Sequence, residues 1–159
     1  MRQFRKTFLL VFSIALVSGF QSCDKKTAHD LVNKYVNKMS ATLNGSAFTA
    51  SSTNAAKNSY NGGYQLTIDG TSSSGQRITV AINNYTGVTG TFDVNNTNAI
   101  CAYNSGATGS SDVIATSGQV VITKVDNSTF SNGAIVDGTF NFTAGSNSVS
   151  SGTFSVFVQ

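Results

Sequence analysis

Cys23 carries the most specific chemistry in the chain. Arg2, Arg5 and Lys6 precede an apolar stretch over residues 8–17 that only Ser13 interrupts, and Ser18-Gly19-Phe20-Gln21-Ser22 then leads into the cysteine. That order of positive, apolar and short polar segments is a secretory signal. Cleavage before Cys23 leaves a thiol open to diacylglyceryl transfer and a new amine open to acylation, and the chains together bury enough methylenes for stable membrane anchoring. The apolar stretch is too short to cross a bilayer, which takes about 20 apolar residues. In the competing reading the signal is an ordinary one, and Cys23 is a thiol that pairs with Cys101 in an oxidising compartment.

The rest of the chain is poor in reactive groups. His29 is the sole histidine and lies close behind Cys23, so Ser-His-Asp, Cys-His and multi-His metal sites cannot be assembled from the residues beyond it. Glutamate is absent, and Asp69, Asp93, Asp112, Asp126 and Asp137 sit beside Gly, Asn, Ser or Val, as solvated turn and strand-end residues do. Two of them facing one cleft would be needed for an aspartate-dependent hydrolase. Asp93-Val94-Asn95-Asn96-Thr97-Asn98 spaces oxygens as a calcium loop does, but it lacks the glycine and the bidentate acid that complete one, so no metal is expected. No cofactor is expected either, because no Gly-rich run follows a strand and opens a helix. Cys101 alternates with Ala99 and Tyr103 and has no flanking His or Lys to lower its pKa, which makes it a buried, inert thiol. The remaining candidates are aromatic: Tyr60, Tyr64 and Tyr85, with Arg77 and the nearby Asn61, Asn83 and Asn84, form a candidate rim for a glycan or a protein.

Charge narrows the partners further. The formal net charge of +3 includes three basic residues of the signal, and without them seven basic side chains face seven aspartates. Residues 39–159 keep only Lys57, Arg77 and Lys124 against five aspartates. A nucleic-acid footprint of clustered basic residues is absent, and no nucleic-acid partner is expected.

Three segments position these groups: a signal peptide over residues 1–22, a lipidated tether over 23–38, and one domain over 39–159. The tether concentrates Asp24, Lys25, Lys26, Asp30, Lys34 and Lys38, and Leu31, Tyr35 and Met39 recur at i, i+4 and i+8 behind the Thr27/Asp30 capping pair, which predicts a short spacer helix. From Met39 the period becomes two. Residues 40–43 and 46–50 flank Asn44-Gly45, the dipeptide best suited to a type I′ hairpin turn. Further strands are predicted over residues 64–69, 78–82, 91–94, 99–103, 113–116, 119–125, 134–143 and 149–158, joined by short connections rich in Gly, Asn and Ser. The fold expected is all-β, a single antiparallel sandwich or flattened meander barrel of about nine or ten strands. The chain has no proline, so proline cannot guard its sheet edges. Gly-Thr-Phe occurs at residues 90–92, 138–140 and 152–154, each followed one residue later by Val94, Phe142 or Val156, and each triplet is read as an inward Phe whose preceding glycine permits a bulge or close approach.

Two resemblances add to this. Phe20-Gln21-Ser22-Cys23-Asp24-Lys25-Lys26 resembles the lipoprotein processing boxes of Bacteroidota, with Phe20 in place of the usual aliphatic residue and Gln21 larger than the usual small one. Residues 39–50, 118–126, 137–142 and 151–154 together are similar to a family of small Bacteroidota lipoproteins with a domain of unknown function. That family implies no catalytic or ligand residues for this chain. The function expected is therefore a non-enzymatic binding or scaffolding lipoprotein of the cell envelope, held at the outer membrane through Cys23, with a glycan or envelope protein as partner. A carrier of a small apolar ligand is the first alternative, and it requires a closed barrel with an unfilled interior. The hydrolase is the second.

Overall fold

The computed structural model describes residues 36–128 and 132–159; the signal, Cys23 and nearly all of the expected tether helix lie outside them. The described residues form eleven strands: β1 (Lys38–Leu43), β2 (Ser46–Thr49), β3 (Ser52–Tyr60), β4 (Gly63–Thr71), β5 (Arg77–Ile82), β6 (Gly90–Asp93), β7 (Ala99–Asn104), β8 (Val113–Ile114), β9 (Ser117–Asp126), β10 (Ala134–Ala144) and β11 (Asn147–Val158). They build two antiparallel sheets, β2-β1-β11-β10-β9-β6 and β3-β4-β5-β7-β8. Leu66, Ile68, Ile78, Val80, Ile82 and Cys101 of the second sheet share one fully buried core with Val120, Ile122, Val136, Val149 and Val156 of the first. The result is a sandwich, the first of the two architectures expected from the strand pattern.

The topology is not a plain meander, because the chain crosses between sheets four times. Three crossings use the same device, in which consecutive N–H groups serve opposite sheets. Ala50 donates to Met39 O (3.0 Å) and Ser51 to Thr71 O (2.8 Å); Val94 donates to Gly118 O (3.0 Å) and Asn95 to Ala99 O (3.2 Å); Ala115 donates to Cys101 O (2.8 Å) and Thr116 to Thr143 O (2.9 Å). Each corner keeps its backbone polar groups satisfied while the chain turns from one layer to the other.

Ten strands follow the expected pattern within a few residues, and β3 is the addition. Its sequence, Ser-Thr-Asn-Ala-Ala-Lys-Asn-Ser-Tyr, has no large aliphatic residue to set a period. Pairing dictates it instead: nine residues run in unbroken register against β4, from Ser52↔Thr71 to Tyr60↔Gly63. The turn between them repeats the Asn-Gly device of the β1–β2 hairpin. Asn44 (φ 49°) and Gly45 (φ 82°), then Asn61 (φ 46°) and Gly62 (φ 80°), supply the two positive φ angles of a type I′ turn.

The Gly-Thr-Phe triplets at residues 138–140 and 152–154 explain each other. They run antiparallel on β10 and β11, so Gly138 stands opposite Phe154 and Phe140 opposite Gly152. A Cβ on Gly138 would collide with the Phe154 ring, and one on Gly152 would stand 2.5 Å from the Phe140 ring. The two rings lie 6.3 Å apart and nearly parallel, with Phe142 stacked 6.2 Å from Phe140. The triplet at residues 90–92 differs: Gly90 meets only its own Phe92, which is half-buried at the edge of the core.

Adding a methyl at either central glycine should overpack this arrangement. Gly138→Ala and Gly152→Ala are each expected to lower unfolding stability by about 2 kcal/mol. Thr53 presents the opposite case, because its hydroxyl is buried without a hydrogen-bond partner. Thr53→Val should raise stability by about 1 kcal/mol. Urea unfolding of the three variants checks both signs, and a stabilised glycine variant or a destabilised Thr53→Val would contradict the packing described.

Candidate functional site

The β3–β4 register decides which side chains meet. Lys57 pairs with the buried Leu66 and Ser59 with Tyr64, so Lys57 and Tyr64 lie on the inner side of the second sheet, while Tyr60 lies on the outer side. β4 outruns β5, whose pairing ends at Leu66↔Ile82. Beyond that pair Asn84 takes a left-handed φ of 53°, and the Tyr85 N–H returns to Tyr64 O at 2.9 Å, bringing the two tyrosines side by side. Buried Asn83 fixes the turn: its carbonyl accepts from Gln65 Nε2 (2.7 Å) and its amide donates to Thr97 O (2.9 Å).

Lys57 and Tyr85 then line two adjoining depressions. One, of about 440 Å³, is completed by Gly63, Tyr64, Asn84 and Thr86. The other, of about 400 Å³, has Val125, Ala134, Val136 and Val158 in its walls, with Asn127 and Asn132 among its polar groups. The Lys57 ammonium stands 4.2 Å from the centre of the Tyr64 ring, a cation–π contact of about 0.5–1 kcal/mol at an exposed site. Tyr64 is 49% exposed, whereas Tyr85 is 4% exposed, and burial raises the pKa of its phenol.

Of the four residues grouped from the sequence, Tyr64 and Tyr85 are brought together. Tyr60 shares their hairpin but faces away. Arg77 opens β5, the tyrosines lie past its other end, and five strand steps separate Arg77 from Ile82, about 17 Å. Arg77 does other work. Its Nη2 donates to both oxygens of Asp112 at 2.7 Å, and Asn104 Nδ2 adds a bond to the same carboxylate at 2.9 Å. The Arg77 hydrogen bond, then that of Asn104, hold the Asp112 carboxyl below the usual carboxylate range, while the Asp112 hydrogen bond and charge raise the guanidinium pKa. Asn104 also accepts from Gly106 N and Ser110 Oγ, so the network shapes the β7–β8 connection.

Lys57 is not among the residues that the sequence groups at the rim. The Asn61-Gly62 turn held the signal that finds it, because a two-residue hairpin loop places Lys57 across from Leu66. The aspartates are dispersed: Asp69 accepts from Thr79, Asp93 from Gln119, Asp126 from Ser128, and Asp112 from Arg77. Among the described residues no group of three or more His, Cys or Asp side chains is placed to hold a metal ion.

Comparison with protein families matches residues 37–158 to a domain of unknown function, DUF6252, and the chain belongs to that family. Comparison with curated proteins and with solved structures finds no match to this chain.

Cys101 is fully buried, and desolvation pushes its thiol up to about 12. Alkylation of Cys101 at pH 8 should therefore run about a thousandfold slower in the folded protein than in urea, because thiolate is the reacting species. The folded thiol also holds its proton after the unfolded one, with a pKa near 8.5, has released it. Folding stability should accordingly fall as pH rises above about 8.5, and pH-dependent urea melts of wild type against Cys101→Ala isolate that slope. Fast labelling of the native state would show the thiol to be accessible.

Proposed function

We propose that this member of the DUF6252 family is a lipid-anchored cell-envelope protein without catalytic chemistry, whose sandwich binds a glycan or an envelope protein at the Lys57–Tyr64–Tyr85 cluster. The observation that carries the reading is the convergence of these three side chains on one depression, with Lys57 and Tyr85 also lining the one beside it. An exposed aromatic ring, an ammonium and neighbouring asparagine amides form a mixed apolar and polar surface suited to recognition. The N-terminal sequence supports the anchor through its positive, apolar and cysteine-terminated order. No helix among the described residues is long and apolar enough to cross a membrane.

The two alternatives have less support. A carrier with its ligand inside a barrel needs a closed, unfilled interior, and the sandwich core holds stacked Phe140, Phe142 and Phe154. For the aspartate-dependent hydrolase, no observed geometry favours a pair of carboxylates converging in a cleft.

The anchor is checked by mass spectrometry of the chain extracted from membranes. Its N-terminus is expected at an acylated Cys23, and Cys23→Ala should move the protein out of the detergent phase; an unmodified Cys23 thiol would remove the anchor. The binding surface is checked separately by titrating the labelled domain with soluble envelope glycans and by crosslinking it to envelope proteins. Tyr64→Ala should weaken the interaction at least fivefold, and Tyr60→Ala, on the opposite face, should leave it unchanged. Equal effects of the two substitutions would place the surface elsewhere.

A further inference from the structure

We infer that the depression bordered by Lys57, Tyr85, Val125 and Ala134 binds a small organic monoanion with an apolar body, its head on the Lys57 ammonium and its body against the half-buried Val125 and Ala134. This goes beyond the binding reading above, since such a molecule is neither a glycan nor a protein, while it draws on the same cluster of side chains.

The wall comes first. The half-buried Val125 and Ala134 come from β9 and β10, with the buried Val136 and Val158 behind them, while Lys57 comes from β3 and Tyr85 from the turn that follows β5, so the depression opens where both layers contribute. Its volume of about 400 Å³ lies at the lower end of the range that holds small ligands. Its apolar lining favours a hydrocarbon or aromatic body over a fully hydroxylated one.

The charge comes next. Two ion pairs are found among the described residues, Arg77–Asp112 and Lys124–Asp126, and neither involves Lys57. The Lys57 ammonium instead rests near a neutral ring, on a flexible stem that reaches both depressions. Lysine acts as a compact point charge, whereas bidentate capture of a phosphate or carboxylate fork is a property of arginine. Arg77 is engaged with Asp112. The other polar side chains of the lining, Tyr85, Asn127, Asn132 and Gln159, are neutral, so its one ammonium suits a singly charged head such as a carboxylate.

Octanoate and its uncharged counterpart 1-octanol are the probes. Amide and methyl NMR titrations of the wild-type protein should show octanoate perturbing Lys57, Tyr85, Val125, Ala134 and Val158, and binding more tightly than octanol. Lys57→Gln should weaken octanoate about tenfold, the loss of one charge-assisted hydrogen bond, and change octanol less than twofold. Lys57 is exposed, so this variant should keep its fold, which its NMR spectrum verifies directly. Val125→Asp, which sets a carboxylate in the wall, should abolish octanoate binding. Equal affinities for the two probes, an unchanged affinity in Lys57→Gln, perturbations at other residues, or no binding at millimolar octanoate would each overturn the assignment. If a glycan or envelope protein perturbs the same residues while octanoate does not, the ligand class fails and the surface stands; if the glycans, the envelope proteins and octanoate all leave these residues unchanged, both readings fail.

Discussion

The opposed Gly–Phe pairs at the centre of β10 and β11 hold the rest of the structure in register. Each Phe ring lies over the glycine of the facing strand because that residue has no Cβ, and the same contact covers backbone that a strand glycine would otherwise expose. A slip of one residue would set the rings against Thr139 and Thr153 in one direction, or against Asp137 and Ser151 in the other, and reverse the inward set of an entire strand. β10 and β11 are the two central strands of the six-stranded sheet, with β9 attached to one and β1 to the other. An error in this pair would therefore propagate to every strand of that layer. Register shifts bracket the contact, between Asp137 and Gly138 on the β9 side and between Phe140 and Phe142 on the β11 side, which places the irregularity beside the glycines.

The corners extend that register into the second layer. A chain without proline must turn with other residues, and here consecutive N–H groups divide between the sheets at three of the four crossings. The edges are managed by the same economy of means. β2, β6 and β8 have four, four and two residues, too short to template another strand. β3 is the long edge, and it carries polar side chains together with the inward Lys57.

Most of this architecture was legible in the sequence because it rests on local signals. Alternation at Ile78, Val80 and Ile82, and the Asn-Gly turns, each specify their own structure within a few residues. The pairing of the Gly-Thr-Phe triplets was not legible, since repetition of a motif does not say which copies face each other. β3 escaped because Thr53 and Ala55 are too small to mark a buried face. The site was half legible for a similar reason. Tyr64, Arg77 and Tyr85 are close in sequence, but an extended strand separates its ends by about 3.4 Å per residue, so β5 carries Arg77 away from the tyrosines. Tyr60 and Tyr64 are closer still, and the two-residue turn between the strands sends them to opposite faces.

The position of Lys57 joins edge protection to the proposed recognition in one side chain. A charge on the inner face of an edge strand opposes the addition of another strand there, because a partner would have to bury the ammonium against Leu66 and the core end. The charge stays hydrated only while space remains between the sheets at that point, and the depressions beside Tyr64 and Tyr85 provide it. An apolar residue at position 57 would remove both the obstacle to edge pairing and the charge on which the proposed binding rests. The feature that opposes association of the long edge with its own kind is therefore also the one on which the proposed binding surface is built.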